Sequence, residues 1–366
     1  MTTHSKTLMI AGGGTGGHIY PAIAIAQEYL RSDPSRKVIF VGTEYGLEKT
    51  IVPKAGFPLE FISVGGLKGK SLGQTVKNLF RLPLGFVGAW KVITKHNPSA
   101  ILGVGGYSSG PVVLIGSLRK IPTLIHEANA APGLTNRILA RFASAVAVAF
   151  PVALELLKRP GQVTGNPVRS EFFKSTVKPR SARGDGKMRL LIFGGSQGSR
   201  ILNDTFTGAL LFLSRLKDRL DIVHQTGPGE HAKVVDAYRS SAFRDARVVP
   251  YLDAMSEELA SADLVISRAG AITIGELTAL GRAAILVPFA LATHNHQEMN
   301  ARVLEKAGGA VVITEAELTP EKLAGVVSEI LSDPLRPSRM GQAARTLATP
   351  HAAADIVTMI ERLGQK

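Results

Sequence analysis

The sequence contains no cysteine. That excludes a disulfide framework and any thiolate-ligated metal, and it leaves the redox compartment open. No apolar run approaches the roughly 20 residues that span a bilayer, and the first apolar stretch, Leu8–Ala11, is too short for the core of a signal peptide. Aromatic residues make up 6% of the chain with a single Trp, so platforms for stacking bases are few. No nucleic-acid-binding module is recognisable either, and no nucleic-acid partner is expected. Asp-x-Asp does not occur, which disfavours a carboxylate-anchored divalent cation beneath a leaving diphosphate. His294 and His296 raise the question of a metal, but no other His or carboxylate cluster has ligand spacing, so neither a metal nor a tightly bound cofactor is expected.

What is present fits a soluble α/β protein. A chain of 366 residues with 45% hydrophobic content buries a full core and has the length of two domains. The net charge of +14 is uneven: residues 1–165 hold 18 Lys and Arg against 7 Asp and Glu. A basic N-terminal half points to a polyanionic partner, whether nucleic acid, an anionic membrane surface or a phosphate-rich substrate.

Short apolar runs followed by glycine-rich turns and helix-like stretches recur along the chain, the pattern of β-α units building a parallel sheet. One series comprises Lys6–Ala11, Lys37–Val41, Ala100–Val104, Thr123–His126 and Ala145–Ala149. A second comprises Arg189–Phe193, Asp221–Gln225, Arg247–Val249, Leu264–Ser267 and Ala284–Val287. Between them lies a segment rich in Gly, Pro and charge, with a hinge placed near Gly165. Each series opens with strand, glycine loop and helix, which predicts two Rossmann-like doubly wound domains facing a cleft. The expected division is 1–165 and 166–342, with a C-terminal helix over 343–366 returning to the first domain.

The first loop, Gly12-Gly13-Gly14-Thr15-Gly16-Gly17-His18, ends a strand and opens a helix, where glycines admit an anion to the backbone and free N–H groups favour phosphate. It is not a P-loop, because the Gly-Lys-Ser/Thr ending is absent from it. It fits G-x-G-x-x-G, but Phe40-Val-Gly-Thr43 ends the second strand where a ribose-binding acid belongs, with Glu44 only after the turn. Tight strand-helix packing alone also accounts for such a turn. His18 is suited to deprotonating a sugar hydroxyl, or equally to capping the helix. The second loop, Gly194-Gly-Ser196-Gln197-Gly-Ser199, adds side-chain donors for a pyrophosphate. Downstream, Ser267–Glu276 opens a further helix, and its Glu276 carboxylate suits two ribose hydroxyls or, more blandly, solvent. The stretch Val287–Ala301 is dense in amides and imidazoles that suit sugar hydroxyls.

Taken in order, Gly12–His18 with Pro21, Gly103-Val-Gly-Gly-Tyr107, His126-Glu127-Ala-Asn129, Gly165-Asn-Pro-Val-Arg169, Gly194–Gly198, Ser267-Arg-Ala-Gly270 and His296-Gln297 resemble the MurG family over essentially the whole chain. These are the peptidoglycan N-acetylglucosaminyltransferases that convert lipid I to lipid II. The resemblance implies a GT-B fold and inverting transfer from UDP-N-acetylglucosamine, forming a β-1,4 bond to the muramyl sugar of lipid I. It implies that the second domain holds the donor, with Arg169 and Leu252 on the uracil side, Glu276 on the ribose, and Ser196 with Ala271 and Ile272 on the diphosphate. The neighbouring Thr273, Ile274 and Gly275 belong to the same donor segment, and Asn129 and Gln297 meet the sugar. Thr15, Gly16 and Gly17 close from the first domain, and Gly13, Gly14, Tyr107 and His126 lie on the acceptor side. Some relatives carry a Gln-Gln pair where this chain has Gln297-Glu298.

Inversion needs one displacement, a base for the acceptor hydroxyl and donors for the departing UDP. His18 is the candidate base and Glu127 the runner-up, with helix N-termini in place of a metal. A lipid acceptor implies a peripheral enzyme on the cytoplasmic face of the plasma (inner) membrane. The expected contact is Lys68–Lys95, where Leu72, Val76, Leu79, Phe80, Leu84, Phe86, Val87 and Trp90 alternate with Lys68, Lys70, Lys77, Arg81, Lys91 and Lys95. Pro83 and Gly85 predict a break there between two short helices. The rival readings are a GT-B transferase with a different lipid or soluble acceptor, and a UDP-sugar epimerase of the same fold.

Overall fold

A computed structural model describes residues 6–64, 72–175, 178–179, 184, 186–292 and 295–365, with the backbone alone for 72–82. The described chain forms two units. One runs to Arg169 and is rejoined from Thr349, and the other is Ser170–Ala348.

The first unit carries β1 (Thr7–Ala11), β2 (Lys37–Gly42), β3 (Leu59–Phe61), β4 (Ala100–Gly103), β5 (Thr123–Glu127), β6 (Ala145–Val148) and β7 (Gln162–Val163). Their order across the sheet is β3-β2-β1-β4-β5-β6-β7, and every pair is parallel. In β1 all five residues are buried, because helices cover both faces: Leu8 and Ile10 join one core cluster, Met9 and Ala11 the other. The second unit repeats the plan with β8 (Met188–Phe193), β9 (Leu220–Gln225), β10 (Arg247–Val249), β11 (Leu264–Ser267), β12 (Ala283–Leu286) and β13 (Ala310–Val312). Its order is β10-β9-β8-β11-β12-β13. Both orders reverse direction beside the first strand of the unit, and this fixes where ligands enter such sheets.

The expected strands are present, and three further edge or near-edge strands, β3, β7 and β13, join them. The boundaries differ from those expected. The helix Arg336–Arg345 packs on β12 and on the helix Ala271–Leu280, so the chain stays in the second unit until Ala348 rather than 342. The terminal helix begins at Ala352 and buries Ile356, Val357 and Ile360 in the first unit's core. At the other crossing, Glu171–Lys174 is a short helix whose Phe172 is buried, and the division falls after Arg169 rather than at Gly165.

The expected break at Pro83 and Gly85 does not occur. A single helix, Leu72–His96, runs through both. Proline removes one backbone hydrogen bond, a loss that 25 residues of helix absorb. Gly85 serves close packing instead, since a Cβ there would lie 2.9 Å from Val64 Cγ1. Lys68, Lys70 and His294 lie outside the described residues, as do the side chains of Leu72, Val76, Lys77, Leu79, Phe80 and Arg81.

A buried polar chain stiffens the second unit beside its glycine loop. His224 at the end of β9 sits 3.1 Å from both Tyr238 Oη and Asn203 Oδ1, and Asn203 Nδ2 donates to the Thr226 carbonyl at 2.9 Å. The amide oxygen only accepts, so His224 carries its proton on Nε2 and is neutral; burial pushes its imidazole down to about 3. Below about pH 6.5 an unfolded histidine takes up a proton that the native one refuses, so this stability is whole above that pH and declines as pH falls toward about 3. The thermal-unfolding midpoint should therefore drop between about pH 7 and about pH 5, and drop less in His224→Gln, which has no proton to gain. An equal pH dependence in the variant would assign the effect to other groups.

Candidate functional site

In the first unit, two loops leave the carboxyl edge at the reversal point between β1 and β4. Gly12–Thr15 leads into the helix Gly16–Ser32, and Val104–Ser108 leads into the helix Ser109–Leu118. They lie against one another. Gly106, at φ +83°, has no room for a side chain, since a Cβ would sit 2.5 Å from the Gly13 carbonyl oxygen. Ser109 Oγ lies 2.6 Å from the Ala11 carbonyl oxygen and 2.8 Å from that of Gly105, which sews the two loops together.

His18 rises from the first turn of its helix. Its Nδ1 is 3.1 Å from the Gly13 carbonyl oxygen, an atom that only accepts, so Nδ1 bears the proton and Nε2 presents a lone pair. Gly14 N–H is taken by Glu48 Oε2 at 2.7 Å. Gly16 and Gly17 open the helix, where no intrahelical acceptor exists for their N–H groups, and Thr15 stands exposed at the cap position. Tyr107 is 44% exposed at the loop tip.

The second candidate base is differently placed. Glu127, at the end of β5, is 3% exposed. Its Oε1 accepts from the backbone and side-chain N–H groups of Asn129 at 2.9 and 3.2 Å, and its Oε2 accepts from Gly133 N at 3.0 Å and Asn136 Nδ2 at 2.9 Å. Four donors make it the clamp of the 127–133 loop. His126 is fully buried, with Nε2 at 3.3 Å from the Gly165 carbonyl oxygen, and desolvation pushes it down to about 4. Asn129 is half-buried beside the Glu127 clamp. Arg169 places its guanidinium 5.0 Å from the centre of the Tyr20 ring, on the first helix of this same unit.

The second unit repeats the scheme at β8 and β11. Ser196 and Gln197 are exposed in the loop Gly194–Ser199, whose Gly198 N–H turns back onto the Gly195 carbonyl at 2.9 Å. After β11, Gly270 caps the helix Ala271–Leu280 in extended conformation. The first backbone bond of that helix is Ile274 N–H to the Gly270 carbonyl, which leaves the N–H groups of Ala271, Ile272 and Thr273 free of intrahelical acceptors. Glu276 follows in the second turn, past Gly275, and is 7% exposed.

After β12, Gln297 Oε1 accepts from Phe289 N–H at 3.0 Å, which fixes the orientation of its side-chain amide. Glu298 is bound by Asn295 Nδ2 at 2.7 Å and Arg302 at 3.1 Å, and these partners hold its carboxyl below the usual range. These bonds tie the first turn of the helix His296–Lys306 together through side chains. Leu252 is buried at 6% exposure. Among the described residues, no group of three His, Asp or Glu side chains converges as metal ligands.

Sequence reasoning passed over Glu48, Asn136 and Arg268. Glu48 is 1% exposed and also accepts from Thr43 N and Oγ1, at 2.9 and 2.8 Å. Arg268 ties the β11 loop to the carbonyls of Val287 and Pro288, at 3.2 and 3.3 Å. None of the three sits in a pattern that announces a partner far along the chain.

Two doubly wound units, each with a glycine loop at its reversal point, have the architecture of the GT-B fold. The glycosyltransferase family 28 N-terminal domain matches residues 8–148 and the family's C-terminal domain matches residues 189–356. The UDP-N-acetylglucosamine–N-acetylmuramyl-(pentapeptide) pyrophosphoryl-undecaprenol N-acetylglucosamine transferase of Anaeromyxobacter sp. (strain K) is 46% identical over 97% of this chain and 92% of its own. That of Thermodesulfovibrio yellowstonii is 42% identical over 97% and 98%. The crystal structure of Acinetobacter baumannii MurG superposes with a TM-score of 0.80 at 30% identity, covering 97% of this chain and 99% of that one. The chain belongs to glycosyltransferase family 28, within its MurG-type N-acetylglucosaminyltransferases.

If the two loops of the first unit act as one surface, crowding their contact should disarm it. Gly106→Ala combines a positive φ with a collision against the Gly13 carbonyl, and should destabilise the enzyme by about 1–3 kcal/mol and depress turnover. Wild-type melting and turnover together in that variant would show the loops to be independent.

Proposed function

We infer that this enzyme transfers N-acetylglucosamine from UDP-N-acetylglucosamine to the muramyl sugar of lipid I, the undecaprenyl-diphosphate-linked pentapeptide, to give lipid II of peptidoglycan synthesis. The observation that carries the reading is full-length relatedness, 46% over 97% of the chain, to transferases named for that donor and acceptor. It favours this acceptor over the other lipids that GT-B enzymes glycosylate.

In this reading the acceptor hydroxyl attacks the anomeric carbon from the face opposite the leaving group. The new C–O bond forms as the bond to UDP breaks with its electron pair, and His18 Nε2 takes the hydroxyl proton. Inversion follows from the single displacement. On the second domain, the N–H groups of Ala271, Ile272 and Thr273 with Ser196 receive the charge of the departing diphosphate. Glu276 accepts from the ribose hydroxyls, and the side-chain NH2 of Gln297 donates to the sugar. Glu127 organises rather than reacts, because its lone pairs are engaged.

The test is incubation with labelled UDP-N-acetylglucosamine and a lipid I analogue, with and without chelator. Labelled lipid II should form in both. His18→Ala should lower kcat by about 10²-fold or more with donor affinity intact, and Glu276→Ala should weaken UDP binding by about 1–3 kcal/mol. Transfer to a different lipid acceptor alone would replace the acceptor assignment. Complete, metal-reversible loss in chelator would replace the diphosphate one.

No helix of the described residues is long and apolar enough to cross a membrane. The first domain instead exposes apolar side chains on packed helices. Leu84, Val87 and Trp90 are 58%, 52% and 52% exposed on Leu72–His96, and Leu118 is 68% exposed at the end of the next helix. Leu134, Ile138 and Phe142, on and just beyond the helix Leu134–Leu139, are 64%, 51% and 46% exposed. Arg119 lies 4.9 Å from the centre of the Trp90 ring, and Lys91, Lys120 and Arg141 are exposed alongside. Apolar side chains interleaved with cations suit the headgroup layer of an anionic membrane, the cytoplasmic leaflet where lipid I is displayed. The combined variant Val87→Ser, Trp90→Ser and Ile138→Ser should lose sedimentation with anionic vesicles while keeping UDP affinity. Undiminished vesicle binding would place the contact elsewhere.

A further inference from the structure

Glu48 is a charged group buried where no charge is used by the chemistry above. It lies on the helix Glu48–Lys54, distant in sequence from the first glycine loop, yet its carboxylate sits beneath that loop. Gly14 N–H donates to Oε2 at 2.7 Å, while Thr43 N–H and Oγ1–H donate to Oε1 at 2.9 and 2.8 Å. The space it occupies is made by glycines on both sides. A Cβ on Gly13 would lie 2.3 Å from Glu48 Cδ, one on Gly42 would lie 2.5 Å from Cγ, and one on Gly46 would lie 2.0 Å from Oε2. The end of β2, the turn before Glu48 and the loop after β1 are therefore assembled around one carboxylate. The glycine at position 13 follows from Glu48 as much as from any ligand.

The connection to chemistry runs through Gly13. Its carbonyl oxygen receives Nδ1–H of His18 at 3.1 Å, and this bond keeps the proton off Nε2. Gly13 is held on one side by the Glu48 carboxylate against its α-carbon and on the other by the backbone of Gly106. The adjoining amide of Gly14 is pinned by Oε2. Rotating the Gly13–Gly14 peptide to release that amide swings the Gly13 carbonyl with it, because the two groups share one rigid plane. We propose that Glu48 is a positioning residue for transfer: by fixing the Gly13–Gly14 peptide it fixes the tautomer and direction of the His18 ring, and so determines whether Nε2 can act as base.

This rests on the reading of His18 as base. Gln at position 48 keeps the shape but supplies an NH2 group, so either Gly14 N–H or Thr43 N–H then faces a donor. Gly46→Ala, in a turn outside the reacting groups, pushes on the same carboxylate while leaving its charge in place.

Both variants are assayed in the full chain with UDP-N-acetylglucosamine and a soluble lipid I analogue at saturation, and the ring nitrogens of His18 are followed by 15N NMR. In the wild type the neutral ring should show a single tautomer protonated at Nδ1. In Glu48→Gln and Gly46→Ala the two nitrogen signals should draw together, kcat should fall about 10- to 100-fold, and KM for the donor and the affinity for UDP should stay at wild-type values. A role confined to folding would lower the melting temperature without changing the tautomer or separating kcat from KM. If Glu48→Gln fails to fold, Gly46→Ala carries the test. Unaltered His18 signals or unaltered kcat in a folded variant overturns the proposal. A wild type that shows the Nδ1 tautomer but transfers no sugar would overturn the reading of function while leaving the Glu48–His18 link standing.

Discussion

The constraint on which the structure depends is the reversal of strand order beside β1 and again beside β8. In a parallel sheet each crossover helix must return right-handed over one face, so strands added to either side of the first one send their helices to opposite faces. At the reversal the crossovers leave adjacent carboxyl ends toward opposite faces, and ligands of such sheets bind outside those ends. In the first unit those ends are Ala11 and Gly103, and in the second Phe193 and Ser267. Each strand end meets a loop and a helix start, so backbone donors that secondary structure leaves unused gather there.

That constraint was largely readable in the amino-acid order. Central strands buried on both faces are continuous apolar runs, and Leu8–Ala11, Leu190–Phe193 and Leu264–Ile266 stand out for that reason. Edge strands carry no such mark. In β3 the residues Leu59-Glu60-Phe61 are half-buried or exposed, β7 has two exposed residues, and β13 is three residues long; each owes its conformation to a neighbour already in place. Pro83 and Gly85 misled because a local rule was applied where packing decides. The helix retains its course through Pro83 because its far half is anchored by Ala89, Val92 and Ile93 in the core, and Gly85 lets it pass close to Val64. The boundary near 343 failed for a similar cause: Gly341 and Ala344 are buried in the second unit, although nothing in their small side chains distinguishes them from the terminal helix.

In the site, the glycines and His18 were legible because unusual residues cluster in consecutive positions. Glu48 and Asn136 were not, because their partners are remote and their own surroundings are ordinary. Glu48 lies 34 positions from the amide it binds, and a single glutamate at a helix start reads as a solvated charge. Asn136 binds Glu127 from within a short helix. The resemblance supplied residue roles that geometry had not yet constrained, and the structure sorts them by surroundings: His18 with a bare Nε2, His126 sealed beneath, Glu127 fully bonded.

In the proposed transfer the proton goes to a histidine rather than a carboxylate, and that sorting supplies a physical reason. A general base must surrender a lone pair at the moment of transfer, and whatever that lone pair was holding is lost. For Glu127 protonation on either oxygen would set an O–H against N–H donors already there, from Asn129 on one side or from Gly133 and Asn136 on the other. Each buried donor so orphaned costs about 1–3 kcal/mol, and the 127–133 loop would loosen as the reaction began. Glu48 would suffer the same at Gly14 and Thr43. His18 has a different geometry. Its structural contacts are both made at Nδ1, to the Gly13 carbonyl at 3.1 Å and Thr15 Oγ1 at 3.5 Å, and in the proposed transfer protonating Nε2 leaves the bond to Gly13 in place and strengthens it, because the donor becomes part of a cation. The two buried carboxylates hold the loops through acceptor bonds on both of their oxygens, whereas the imidazole is held through Nδ1, which in the proposed reading leaves the Nε2 lone pair for the substrate.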